Sequence, residues 1–426
     1  MTAESLEDTL RTRSTTFLSP IRWTRLTLGS LIFTLRKKGL IWTRQLFKLK
    51  VSPQSRNIAP GVNLAGYVRA EMGLGEAARG IAASLESAAI PFNIINFEYL
   101  NPARHSDTSW IHKEKVKDHY DVTVLAVNPD NIVNARLLLP KEIFAKRYVI
   151  GYWFWELPEI PDDWSTAFSL VNEVWASSRF TQDAFSAKSP VPVIHIPPPI
   201  VSRRSAGFSR SYFNLPAGRF LFLMMCDANS FLERKNPVGV IRAFKHAFAS
   251  EDPSVALVLK VTGLEDRRPQ LHEIREEISG YKNIYVLNRM MAREEIDSLL
   301  ACIDCLVSLH RSEGFGLIPA EAMSLGKPVI LTNWSGNTDY MTADNCIGID
   351  YKLVRLDKDY GPYKAGQYWA EPDVEQATSW MKRLAREPEG ARRIGRAAQE
   401  TISLNFSPEA IGKKIEDRLK QIRQRI

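Results

Sequence analysis

A chain of 426 residues is too long for one ordinary hydrophobic core and suits two domains of about 150 to 200 residues each, with a cleft between them. With 45% hydrophobic and 24% charged residues it has the composition of a soluble globular protein, which excludes a disordered or membrane-embedded chain. Residues 11–50 hold ten Lys or Arg and no acid against a net charge of +8 for the whole chain, so the remainder is slightly acidic and no general nucleic-acid surface is indicated. The four cysteines, Cys226, Cys302, Cys305 and Cys346, are too few for a disulfide framework and point to a reducing cytosol. Cys302 and Cys305 form a C-x-x-C with no second pair at zinc spacing and read as core packing.

The basic segment comes first. Phe17 to Leu49 mixes its cations with Trp23, Leu26, Phe33, Ile41, Trp42 and Phe47, the profile of an interfacial helix. Its longest uncharged run, Leu26 to Leu35, is half of what spans a bilayer, so the segment is expected to lie on an anionic membrane surface rather than cross it. Two other readings stay open: an organellar transit peptide, against which Glu4, Glu7 and Asp8 argue, and a helix pair packed on the body of the protein.

Val62 to Val68 then reads as a first strand, followed by a glycine loop and a helix to about Ala88. Phe92–Phe97, Val122–Val127 and Tyr148–Phe154 are further short apolar strands separated by helix-length segments. The same alternation returns after residue 215 in Phe220–Cys226, Val255–Val261, Asn283–Leu287, Cys305–Leu309 and Pro328–Thr332. Alternating β and α implies an α/β fold with two parallel sheets, each covered by helices on both faces. The break falls near Val191 to Pro199, where three prolines end a strand. Ser407 and Pro408 offer a cap and first position for a final helix to about Gln424.

The most informative stretch is Glu313-Gly-Phe-Gly-Leu-Ile-Pro-Ala-Glu321, at a strand-to-helix turn. Gly314, Phe315 and Gly316 would aim free N–H groups and a helix N-terminus at an anion such as a diphosphate. Glu313 in the loop and Glu321 in the helix would accept hydrogen bonds from sugar and ribose hydroxyls. Arg234 and Lys235, after the strand Phe220–Cys226, are candidates to neutralise the diphosphate. Asn333-Trp-Ser-Gly-Asn-Thr-Asp339 follows another strand, and Ser335, Gly336, Asn337 and Thr338 could donate to phosphate or sugar. Lys260–Thr262 and Asn288–Met290, at strand ends, are candidate positions for a nucleobase.

His310 to Val329 resembles the E-x7-E donor motif of retaining GT-B glycosyltransferases of family 4, also called group 1. Gly73-Leu-Gly-Glu-Ala-Ala-Arg79 resembles the N-terminal glycine loop of bacterial members, and Glu233 to Phe244 resembles their phosphate-binding lysine segment, so residues 60–410 are covered. The resemblance implies two Rossmann-like domains facing across a cleft: a basic N-terminal segment at 1–57, an acceptor domain at 58–200, a nucleotide-sugar donor domain at 201–405, and a helix at 406–426 crossing back to the first domain. It implies a metal-independent transfer from a nucleoside diphosphate sugar, with no cofactor, to a glycan or lipid-linked acceptor in envelope or exopolysaccharide synthesis, on the cytoplasmic face of the membrane. The chain departs from the pattern where related enzymes carry an arginine five or six positions before the lysine, since Asn229 and Ser230 stand there. A non-catalytic sugar-nucleotide sensor of the same fold is the alternative that this departure motivates.

Three candidates remain. Gly73-x-Gly75-x-x-Ala78, with Glu98 downstream, also fits a dinucleotide fingerprint, but Arg69 to Met72 separate its glycines from the strand. The loop reads better as a flexible cover, with Glu76 and Arg79 at its helix start. Gly151 to Pro158 places aromatic residues around Glu156, which is either the group that orients an acceptor hydroxyl or a capping carboxylate in a Trp-rich core. His310 reads as a packing residue behind the donor loop. Asp357-Lys-Asp359 is a D-x-D in a Tyr- and Gly-bearing loop and reads as surface charge, with no metal site expected.

Overall fold

The computed structural model describes residues 58–114, 118–201, 207–227, 230–266 and 268–425, all within one compact unit. The basic segment at 11–50 and the position of Asn229 lie outside the described residues. Six strands form the first sheet: β1 (Val62–Gly66), β2 (Phe92–Asn96), β3 (Val122–Ala126), β4 (Tyr148–Trp153), β5 (Glu173–Ala176) and β6 (Val193–His195). All pair in parallel in the order β2-β1-β3-β4-β5-β6. The second sheet contains β7 (Phe220–Asp227), β8 (Val255–Thr262), β9 (Ile284–Leu287), β10 (Cys305–Ser308), β11 (Val329–Thr332) and β12 (Ile347–Ile349), parallel in the order β12-β11-β10-β7-β8-β9. Strands buried on both faces need apolar side chains at nearly every position, and β1, β3, β8 and β11 are close to that limit.

Helices cover both faces: α1 (Gly73–Ser87), α2 (Ile132–Leu138) and α3 (Arg179–Ser186) in the first lobe, then α4 (Pro237–Ala247), α5 (Pro269–Ile278), α6 (Arg293–Cys302) and α7 (Leu317–Ser324) in the second. A two-stranded antiparallel arm, β13 (Tyr351–Arg355) and β14 (Tyr368–Pro372), follows and was not read from the sequence. Helices α8 (Val374–Arg386), α9 (Pro388–Phe406) and α10 (Pro408–Arg423) complete the described chain.

Strand order reverses between β1 and β3 in one sheet and between β7 and β10 in the other. At such switch points neighbouring loops diverge and leave a crevice outside the carboxyl ends of the strands. The loops after β1, β7 and β10 open on this crevice, and the loop after β4 meets the second lobe there through Trp155 and Glu156. The last helix ties the lobes together: Ile411, Ile415, Leu419 and Ile422 of α10 pack with Ile81 and Leu85 of α1 in the first lobe's core. Ser407 caps α10, its Oγ accepting from Ala410 N–H at 3.3 Å, with Pro408 at the first helical position.

Strand β5 carries a charge that hides it in sequence. Glu173 is fully buried because Arg418 of α10 donates to both carboxylate oxygens, Trp175 Nε1 donates at 2.8 Å and the Tyr148 hydroxyl at 3.2 Å. Among the described residues no helix is long and apolar enough to cross a membrane.

Candidate functional site

The loop from β10 into α7 takes its shape from two glycines. Gly316 caps α7 with φ +85°, and a Cβ there would lie 2.6 Å from the Tyr340 hydroxyl oxygen. A Cβ on Gly314 would lie 2.9 Å from the Trp155 carbonyl, so the loop passes tightly under the first lobe. Three hydroxyls of that lobe converge on the Gly314 carbonyl, from Ser178 at 2.7 Å, Thr181 at 3.1 Å and Ser177 at 3.2 Å. The first intrahelical bond of α7 runs from Ala320 N–H to the Gly316 carbonyl, which leaves the amides of Leu317 and Ile318 ahead of it at the positive helix end.

Glu313 lies beside this loop and is 9% exposed. Its backbone is fixed by Ser335, whose Oγ accepts from Glu313 N–H at 2.8 Å, and by Gly336 N–H, which donates to the Glu313 carbonyl at 2.9 Å. Lys235 Nζ lies 2.5 Å and Arg234 Nη1 3.2 Å from its carboxylate. Burial pushes the carboxyl up, but Lys235 and Arg234 together pull it down further, to about 2. The cations are held by Asn236, in left-handed backbone (φ 50°), which ends their short turn and caps α4. Its amide reaches back to the Leu309 carbonyl at 2.8 Å, fastening the turn to β10.

Arg234 also donates to the Ser312 carbonyl at 2.6 Å and lies 5.8 Å from the Tyr363 ring centroid. Tyr363 sits on the β13–β14 arm, and its hydroxyl donates to Glu156 Oε2 at 3.1 Å. Glu156, just past the end of β4, is thus brought near Arg234 by a residue that sequence reading missed. No motif marks Tyr363; its signal was only an aromatic in the loop dismissed as surface charge. Asp359 closes the tip of that loop by accepting from Lys364 at 2.7 Å and from Ala365 N–H at 2.9 Å.

Glu321 lies one turn into α7, 8% exposed, with Oε1 accepting from Arg293 at 2.8 Å. Gly73 of the opposite lobe approaches Leu317 at the start of α7. Gly75 has no room for a side chain, since a Cβ would lie 2.0 Å from the Ala70 carbonyl. The glycine loop is pinned rather than a flexible cover: Arg79 is buried and donates to the carbonyls of Val68 and Ala70 at 2.6 and 3.0 Å and to Glu76 at 2.6 Å.

Asn337 departs from its expected role. It is fully buried and spends both amide hydrogens internally, on the Thr332 carbonyl at 2.9 Å and Met341 Sδ at 2.9 Å, so it shapes the loop instead of offering donors to a ligand. The Thr338 hydroxyl likewise donates to the Ser335 carbonyl at 2.7 Å. Asp339 spans the cleft, accepting from Arg179 N–H at 3.0 Å and lying 2.8 Å from His195 Nε2. His310 is fully buried and burial lowers its imidazolium to about 4, so it is neutral at physiological pH. Lys260 donates to the Thr262 hydroxyl at 2.8 Å, and burial lowers its ammonium.

The two Rossmann-like lobes facing across a cleft have the GT-B fold. Within it, residues 215–351 match the family model described as glycosyl transferases group 1. Sucrose-phosphate synthase from Thermosynechococcus elongatus superposes with TM-score 0.61 at 13% identity over 86% of this chain and 100% of that one. Anabaena HepE, in a complex with UDP and glucose, superposes with TM-score 0.58 at 16% identity over 85% of this chain and 100% of that one. Among curated proteins, alpha-1,3/1,6-mannosyltransferase ALG2 of Mus musculus is 22% identical over 212 residues, 47% of this chain and 45% of that protein. The chain thus spans less than half the length of this curated relative.

Proposed function

We propose that the chain is a retaining glycosyltransferase that moves a sugar from a nucleoside diphosphate sugar to an acceptor hydroxyl without a catalytic metal. The observation that carries this reading is the buried Glu313 carboxylate beside Lys235 and Arg234, at the mouth of the α7 helix end. Glu313 is ionised and accepts hydrogen bonds from sugar hydroxyls. Lys235 and Arg234, with the amides of Leu317 and Ile318, take the charge that grows on the departing diphosphate. The acceptor oxygen bonds to the anomeric carbon on the face from which the carbon–oxygen bond to phosphate breaks, and its proton passes to the leaving phosphate oxygen. Glu156, steadied by Tyr363, orients the acceptor hydroxyl. Catalysis is then mainly positional and electrostatic.

The HepE complex with UDP and glucose makes uridine donors the first to try. The basic, aromatic-rich stretch at residues 11–50 supports a lipid-linked or envelope glycan acceptor met at the membrane surface. Ser230, standing where related enzymes place a phosphate-binding arginine, favours one second reading, a sugar-nucleotide sensor without turnover.

The test is a metal-free thermal-shift screen against UDP-, GDP-, ADP- and dTDP-sugars, with Glu321→Ala alongside and released nucleoside diphosphate measured for each hit. One nucleotide class should raise the melting temperature, less so in the variant, and should turn over. Stabilisation without release selects the sensor, and no stabilisation by any donor rejects both readings.

A further inference from the structure

A line of alternating charges crosses the cleft from the glycine loop to Glu321. Asp107 Oδ2 lies 3.2 Å from Arg79 Nε, and Arg79 Nη2 lies 2.6 Å from Glu76 Oε1. Arg293 Nη1 is 3.7 Å from the same Glu76 oxygen and 2.8 Å from Glu321 Oε1. Asp297, one turn further along α6, fixes the guanidinium through Nε at 2.8 Å and Nη2 at 2.5 Å. Glu76 and Glu321 line a small crevice between the lobes with Pro199, Val201 and Leu317. Glu321 Oε2 is buried and has no partner among the described residues, so one carboxylate oxygen is held and the other is left for a ligand.

We propose that Arg293 is a positioning residue: bridging Glu76 of the first lobe and Glu321, it holds one Glu321 carboxylate oxygen and so aims the other at the vicinal hydroxyls of a nucleoside, so that diol binding depends on the two lobes being together. The inference rests on the nucleotide-sugar reading above. Among the described residues Arg293 is the cation that acts on Glu321, while Glu76 and Asp297 beside it are both acids. Burial first, then Glu76 and Asp297, hold its carboxyl above the ordinary range against the opposing pull of Arg293, so losing Arg293 would raise it further. A protonated carboxyl would accept only neutral hydrogen bonds, about half as strong as charge-assisted ones. Arginine suits the place because its fork reaches Asp297 with one edge and both glutamates with the other.

The experiment uses the full chain, UDP, GDP and ADP, and their 2′,3′-dideoxy counterparts, with affinities measured by calorimetry at pH 7. Arg293→Gln should weaken the ribonucleotide that binds by about tenfold or more, the worth of one hydrogen bond to a charged group, and leave its dideoxy counterpart unchanged. Adding Glu76→Gln should recover part of the loss by removing the like charge. Should Arg293→Gln fail to fold, Arg293→Lys, which keeps the charge and loses the fork, should show a smaller but equally diol-specific loss. Unchanged ribonucleotide affinity, or equal weakening of both analogues, overturns the proposal. If the wild-type chain binds none of the nucleotides, the nucleotide-sugar reading itself fails and the role of Arg293 falls with it.

Discussion

Glu313 stays charged in a buried site because two cations outweigh the cost of its burial, and that has a measurable acid signature. Its folded value of about 2 lies below the ordinary 4.5, so its contribution is complete above about 4.5 and is lost as pH falls through about 2. Glu313→Gln should remove up to about 3 kcal/mol of acid-dependent stability, flattening the fall in urea stability between pH 5 and 2. The same variant should lower transfer about 100-fold or more at pH 7, and an unchanged rate would contradict the role assigned to it. At this scale the shape of the Glu313–Glu321 loop was legible because few residue types satisfy its constraints: Gly316 has positive φ and Gly314 has no room for a side chain. Asn337 was misread for the converse reason, since an amide at a strand end serves a loop as readily as a ligand and its partners Thr332 and Met341 are visible only in three dimensions.

Elements were legible wherever a run of apolar residues was long enough to be buried on both faces, as in β7 and β8. The final helix was legible from its chemistry: a serine cap, a proline at the first position and an apolar stripe. Ser407→Ala should cost about 1 kcal/mol in urea denaturation, since the Ala410 amide loses its acceptor. Strand β5 and the β13–β14 arm were not legible. The first contains Glu173, whose burial depends on Arg418, far along the chain, and the second shows no period-2 pattern, with the neighbours Lys352 and Leu353 both exposed on β13. The arm is pinned at its base by Arg311, which pairs with Glu371 at 2.6 Å and so sets where Tyr363 arrives.

Across the described molecule the two lobes are joined by buried polar contacts as well as by ring contacts such as Trp155–Tyr363 and Phe180–Trp334. The Gly314 carbonyl under Ser177, Ser178 and Thr181 ties the donor loop to the first lobe, and the Glu173–Arg418 pair ties the last helix to it. Breaking a buried pair leaves a charge without a partner, so Arg418→Met should destabilise the fold by about 3 kcal/mol or more. Adding Glu173→Leu should recover part of that loss, and denaturation midpoints of the two variants would show whether it does.

The sequence by itself determined the alternation of strands and helices, the two parallel sheets and the strand-to-helix turn that carries Gly314 and Gly316, because local periodicity and backbone constraints act over a few residues. Only the tertiary structure decided that Arg293 joins Glu321 to Glu76, that Tyr363 meets Glu156 and that Arg418 neutralises Glu173. Those contacts join residues remote in sequence, and their energies depend on burial and distance, which appear only once the chain has closed on itself.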